Sequence, residues 1–211
     1  QDYPLLDEAE YPTAYDHLYS MTDEILASGE VDHADDFEWE FYIVDDDEVL
    51  NAFAAPGGYI WIYSGLINFL EYEDEVSGVM GHEIAHSANR HTTEQLTRVY
   101  GYSLVADMLL GEGAGAAVGE IAAGLVFLDF SRDNEAESDE FSVYYLCETQ
   151  YAANGAAGFF DKLLDAGSVQ VPEFLSTHPS SKSRVTDINS HAESLSCSTD
   201  PYSDGDLQEF K

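Results

Sequence analysis

Two histidines four residues apart, His82 and His86, with Glu83 directly after the first, constrain this chain more than anything else in it. They lie in Glu75-Val76-Ser77-Gly78-Val79-Met80-Gly81-His82-Glu83-Ile84-Ala85-His86-Ser87-Ala88-Asn89, a proline-free stretch with helical apolar spacing. On a helix, positions four apart share a face, so both imidazoles can grip one ion. Zinc takes neutral histidine nitrogen at about 2.0–2.1 Å, within the reach of two such rings. Glu83 stands where it can hydrogen-bond a water on the metal without binding the metal itself. That is the layout of a zinc hydrolase. The competing reading is an amphipathic helix on which these side chains fall in register by chance, and three fixed positions alone do not exclude it.

A catalytic zinc site holds three protein groups and one open position, so a third ligand is needed. One known continuation of the motif wants glycine three residues after His86 and histidine three beyond that. Asn89 and Thr92 stand there, with His91 one position out of register. The other takes a glutamate from a later helix. Phe130-Ser131-Arg132-Asp133-Asn134-Glu135-Ala136-Glu137-Ser138-Asp139-Glu140 offers Glu135 and Asp139, four apart on one helical face. Glu135 can ligate while Asp139 receives a ring N–H from a ligand histidine. With 42 acidic residues in the chain such pairs also arise by chance, and spacing alone leaves the third ligand open.

Four segments in order resemble the M48 family of gluzincin metallopeptidases: Asn51 to Leu66, similar to that family's strand hairpin; Gly81 to His86, its metal helix; Ser131 to Asp139, its third-ligand helix; and His178-Pro179-Ser180-Ser181-Lys182-Ser183-Arg184-Val185, its late His-Pro and Arg element. One departure is Ser138, where the family usually has alanine. The resemblance implies an α+β fold, a mostly helical zincin-like domain over residues 1–211 whose small sheet has an edge strand beside the active site. It implies one zinc held by His82, His86 and Glu135, with Glu83 as general base, Asp139 behind a ligand and Arg184 ordering a loop or the acidic shell. For His178 it implies either a donor to the developing oxyanion or a fourth ligand that displaces the water. The expected activity is endopeptidase cleavage of unfolded or misfolded polypeptide, in quality control outside the cytoplasm. The alternatives are a latched enzyme and a non-catalytic polypeptide-binding module with His178 blocking the metal.

The hairpin carries a reading of its own. Asn51–Ala55 and Tyr59–Tyr63 are strand-like around the turn residues Pro56-Gly57-Gly58. Tyr59, Trp61 and Tyr63 alternate with Ile60 and Ile62, which predicts one aromatic and one apolar face. The family binds extended peptide along an edge strand by main-chain hydrogen bonds, and Asn51, Ala52, Phe53 and Ala54 are the candidates for that strand.

Charge bounds the partners. Seven basic residues against 42 acidic give a net charge of −35. Self-repulsion of that size destabilises a compact state unless salt screens it, which reads as adaptation to high salinity. Nucleic acid and anionic membrane surfaces are poor partners for such a chain. Asp45-Asp46-Asp47-Glu48 and Glu71-Tyr72-Glu73-Asp74-Glu75 lack the spacing of a calcium loop and read as solvated acidic faces. Cys147 and Cys197 fit no zinc-thiolate spacing; they are either one disulfide or two free thiols. The start at Gln1 is taken as signal-peptide removal or trimming, which favours an exported, periplasmic or secreted protein.

Glu112, Glu120 and Asp129 confine the most apolar run, Gly113 to Leu128, to fewer than the ~20 residues that a membrane helix requires. Residues 98–130 are expected to form a lid or wall of two helices, Leu104–Leu110 and Ala116–Leu128, hinged at Gly111–Gly115. The remaining elements expected are helices over Tyr11–Ala27, Ser64–Leu70, Asp74–Arg98, Asn134–Ala152, Ala156–Ala166 and Ser180–Ser196, a strand near Glu38–Val44, and a frayed acidic tail over 198–211.

Overall fold

The computed structural model describes residues 4–102, 105–106, 129–166, 172–178 and 183–202. The fold is α+β. Strand β1 (Glu40–Val44) follows helix α1 (Pro12–Ala27); β2 (Ala52–Ala55) and β3 (Tyr59–Tyr63) form the hairpin, and helix α2 is Ser64–Phe69. Then come α3 (Glu73–Ala88), α4 (His91–Tyr100), α5 (Arg132–Leu146), α6 (Gly155–Ala166), α7 (Pro172–Thr177) and α8 (Arg184–Leu195). Apart from residues 105 and 106, the two expected lid helices lie outside the described residues, as do residues 203–211 of the expected tail.

The sheet order is β1-β3-β2, with β2 antiparallel to β3 and β1 parallel to it. The reversal between β2 and β3 needs left-handed backbone, which Gly57 and Gly58 supply at φ +101° and +89°. A Cβ on Gly58 would also come within 2.9 Å of Phe37. The alternation along β3 has the expected consequence. Ile60 and Ile62 join Phe41, Ile43, Ala52 and Ala54 in the main core against the helices. Trp61 and Tyr63 join Phe53 and Val44 in a second cluster on the other face, closed by Leu96 of α4.

Helix α3 is buried along its whole length, which only small side chains at its crossings allow. A Cβ on Gly78 would overlap the backbone of Gly155 and Ala156, and one on Gly155 would overlap the Asp74 carbonyl. Glycines on both sides thus bring α3 and α6 into backbone contact. A Cβ on Gly81 would come within 3.3 Å of the Ser142 side chain of α5, a tight approach without overlap. At its start, Glu75 accepts from the backbone N–H of Glu71 and Tyr72 and pairs with Lys162 at 2.8 Å. Asp74 receives the N–H of Ala152 and of Tyr202, so the described part of the tail is docked rather than frayed.

Three boundaries depart from the sequence expectation. The helix expected over Asp74–Arg98 is two helices, because Arg90 takes the left-handed conformation (φ 63°) between α3 and α4. Neither glycine nor proline marks that break; tertiary bonds made by His91 and Thr92 outweigh local propensity. The helix expected to run to Ala152 stops at Leu146, where Cys147 forms a disulfide with Cys197. That settles the question the two cysteines posed. Helix α7 was not expected, and α8 begins at Arg184 rather than Ser180. Among the described residues no helix is long and apolar enough to cross a membrane.

Candidate metal centre

Helix α3 brings His82, Glu83 and His86 to one point, α5 adds Glu135 and Asp139, and the end of α7 and start of α8 deliver His178 and Arg184. All seven are buried. The Nε2 atoms of His82 and His86 are 3.1 Å apart. Glu135 turns Oε2 to His82 Nε2 at 3.6 Å and Oε1 to His86 Nε2 at 3.4 Å. His178 Nδ1 lies 3.1 Å from Glu135 Oε1. His82, His86, Glu135 and His178 can each offer one ligand atom, all within 4.8 Å of one another. Phe130 stacks on His86 and Phe174 on His178, fixing both rings from the side.

Around this centre the acidic groups are held by one cation. Arg184 donates from Nε and Nη2 to the two oxygens of Asp139, at 2.7 and 2.6 Å, and from Nη1 to Glu135 Oε2 at 2.8 Å. Its guanidinium lies over the Phe160 ring, 3.9 Å from the centroid. Asp139 Oδ1 in turn meets His82 Nδ1 at 2.9 Å. Of the two partners expected for Arg184, the acidic groups are the ones these bonds reach.

The electrostatics favour positive charge at the centre. Burial opposes ionisation of Glu135, yet His178, His82 and His86 hold its pKa well below the usual carboxylate value. Burial likewise opposes the charge on Asp139, and Arg184 lowers its pKa in spite of it. Burial disfavours a charged His82, but Asp139 and Glu135 reverse that and push its pKa up to about 9. His86 is held well below the ordinary histidine value, chiefly by burial. The carboxylates thus stabilise positive charge on His82, while burial favours a neutral His86 that can offer a lone pair.

Burial raises the pKa of Glu83. Both of its oxygens are buried without a hydrogen-bond partner among the described residues. A carboxylate in that state is costly unless it faces a group it can bind. Its position beside three nitrogen and oxygen donors fits a metal carrying a polar fourth partner.

The candidate substrate residues sit at one border of the centre. β2 is an edge strand, and Asn51 precedes it. The carbonyl oxygen of Ala52 meets His178 Nε2 at 3.3 Å, and that of Ala54 accepts from Thr92 Oγ1 at 2.9 Å. Asn51 Oδ1 accepts from Thr177, while Phe53 points away and stacks on Trp61. All four are buried.

Sequence reasoning set His91 aside for being out of register. His91 Nδ1 lies 3.1 Å from His86 Nδ1 and 3.2 Å from Ser138 Oγ, and its Nε2 lies 3.1 Å from Glu137 Oε2. Ser138, in the alanine position of the resemblance, thereby has a polar partner. Only the helix break at Arg90 makes this contact possible, and no residue pattern signals that break.

The chain is 32% identical over 152 residues to the mitochondrial metalloendopeptidase OMA1 of Arabidopsis thaliana, covering 72% of this chain and 31% of that protein. It is 31% identical over 196 residues to a putative beta-barrel assembly-enhancing protease of Vibrio cholerae, covering 86% and 40%. The metalloprotease YcaL of Escherichia coli is 30% identical over 158 residues, covering 71% and 60%. The chain thus spans between 31% and 60% of the length of these curated relatives. The model of peptidase family M48 matches residues 13–192, across every element that builds the centre, and the chain belongs to that family.

Proposed function

We propose that this chain is a zinc endopeptidase acting on extended segments of unfolded or misfolded polypeptide. The observation that carries the reading is the buried carboxylate of Glu83, which makes no hydrogen bond among the described residues and lies 3.5 Å from His178 Nε2, beside His82, His86 and Glu135. Two imidazoles and a carboxylate are a donor set that zinc prefers. Bound zinc supplies Lewis acidity, lowering the pKa of water to about 7 and polarising a carbonyl. Glu83 takes the proton of the attacking water on a carboxylate oxygen and passes it to the departing amine nitrogen. A pKa raised by burial suits a group that must both accept and return a proton. Asp139 holds the Nδ1 hydrogen of His82, leaving its Nε2 free to ligate. The edge groups of β2 pair with the substrate main chain, so recognition is of extended backbone more than of side chains.

A second reading is favoured by His178. His178 Nε2 faces Ala52 O at 3.3 Å and Glu83 Oε1 at 3.5 Å, and Nδ1 faces Glu135 Oε1 at 3.1 Å; with the hydrogen on Nε2, Nδ1 would offer its lone pair to a metal held by His82, His86 and Glu135. In that arrangement His178 fills the fourth position and occupies the edge strand at once, and the enzyme is latched. As an oxyanion donor it would leave Ala52 and turn Nε2–H to the substrate.

The Cys147–Cys197 disulfide supports an oxidising compartment, as expected of a protease working in quality control outside the cytoplasm. The net charge of −35 supports a habitat of high salt. The test is cleavage of reduced casein in concentrated salt. Cleavage is expected to stop with a chelator and return with zinc; cleavage indifferent to chelation would contradict the reading. His178→Ala separates the two roles. A latch predicts a gain of activity, and an oxyanion donor predicts a loss of about 10²–10³-fold in kcat.

A further inference from the structure

An imidazole that gives Nε2 to a metal must carry its hydrogen on Nδ1, and that hydrogen needs an acceptor. For His82 the acceptor is Asp139. His86 is fully buried, and no carboxylate faces its Nδ1 among the described residues; the partner there is His91 Nδ1 at 3.1 Å. We infer that His91 is a positioning residue, which holds His86 in the tautomer that ligates through Nε2 and passes the constraint on to Glu137. The inference rests on the metal reading given above.

The direction of each hydrogen follows from the one before. His86 Nδ1–H donates, so His91 Nδ1 accepts and His91 Nε2 carries the hydrogen. That hydrogen meets Glu137 Oε2 at 3.1 Å. The Ser138 hydroxyl, 3.2 Å from His91 Nδ1, can share that nitrogen's lone pair as a second donor, and it is the Glu137 carboxylate facing Nε2 that favours hydrogen there. The wire ends at a carboxylate whose side chain is 51% exposed, while the His91 side chain is 3% exposed.

The backbone is shaped to allow this. On an uninterrupted helix, positions five apart point about 140° away from each other, and the two rings could not meet. The left-handed Arg90 turns the chain so that His91 opens α4 against His86. Backbone strain at a residue other than glycine persists where surrounding contacts hold it, and here the contact it delivers is to a candidate metal ligand.

Two measurements test the inference. The first is the tautomeric state of the ring nitrogens in the zinc-loaded protein, by 15N-detected histidine correlation spectra. Hydrogen on Nδ1 of His86 and on Nε2 of His91 is expected; hydrogen on Nδ1 of His91 overturns the inference. The second is zinc affinity by competition with a chromophoric chelator. His91→Phe is expected to weaken zinc about 10–100-fold, as for loss of other partners behind a ligand. His91→Asn, which keeps an acceptor near the position of Nδ1, is expected to recover most of that loss. Glu137→Leu is expected to weaken zinc more than Glu137→Gln, and this half-exposed site serves if His91→Phe does not fold. Variants that fold and bind zinc as tightly as wild type would overturn the inference alone. A wild type that binds no zinc would remove the metal reading, and this inference with it.

Discussion

Glu83→Gln is expected to lose peptide hydrolysis by about 10²–10⁴-fold while keeping its zinc. Glutamine has the shape of glutamate and cannot take a proton from water at neutral pH. Glu83 is not among the four candidate ligand groups; its oxygens make no hydrogen bond among the described residues, and Oε1 lies 3.5 Å from His178 Nε2. Metal content should therefore survive a change that removes the base. Comparing kcat for casein-derived peptides and zinc-to-protein ratios separates the two effects. A variant that cuts at the wild-type rate would show that another group moves the proton. A variant that loses its zinc would make Glu83 part of the ligand set.

Arg184→Leu is expected to destabilise the metal-free protein by about 3–5 kcal/mol, the cost of leaving buried charge uncompensated. Arg184 is 4% exposed and is the cation against which both Asp139 and Glu135 rest. Lysine should not restore the loss, since one ammonium cannot reproduce three directed N–H groups aimed at two carboxylates. The pH dependence has a definite sign. Asp139 and Glu135 have folded-state pKa values below their ordinary ones, so their contribution is present above the ordinary carboxylate range and is lost as pH falls through the folded values. The stability gap between wild type and variant should then narrow on acidification below that range, chiefly through Asp139, whose low pKa is due first to Arg184. Denaturant titrations in the presence of a chelator measure it. A gap that widens on acidification would contradict the assignment of Arg184 as the partner of these groups.

Much of this arrangement was legible in the residues because it depends on local period. The face shared by His82 and His86 and the one shared by Glu135 and Asp139 follow from helical spacing, and both helices formed over those residues. The two faces of β3 follow from strict alternation. What was not legible depends on contacts between distant segments. Nothing around Arg90 signals a break, because the stabilising partners, His86 for His91 and Ala54 for Thr92, come from other elements. The six-residue helix α7 has too few turns to leave a periodic mark, and its end, with the backbone N–H of His178 bonded to Phe174, is what brings His178 inward. Whether Cys147 and Cys197 pair depends on where α5 and α8 end in space, which their separation in sequence does not fix.

X-ray absorption at the zinc edge of the zinc-loaded protein tests the central claim most directly. A stoichiometric zinc with two imidazole nitrogens and carboxylate or water oxygen at about 2.0–2.2 Å is the result predicted for His82, His86 and Glu135 around an open site. A third imidazole in the shell would identify the latched form with His178 bound. Zinc that is substoichiometric, or surrounded by oxygen without imidazole, would contradict the metal centre proposed for this chain.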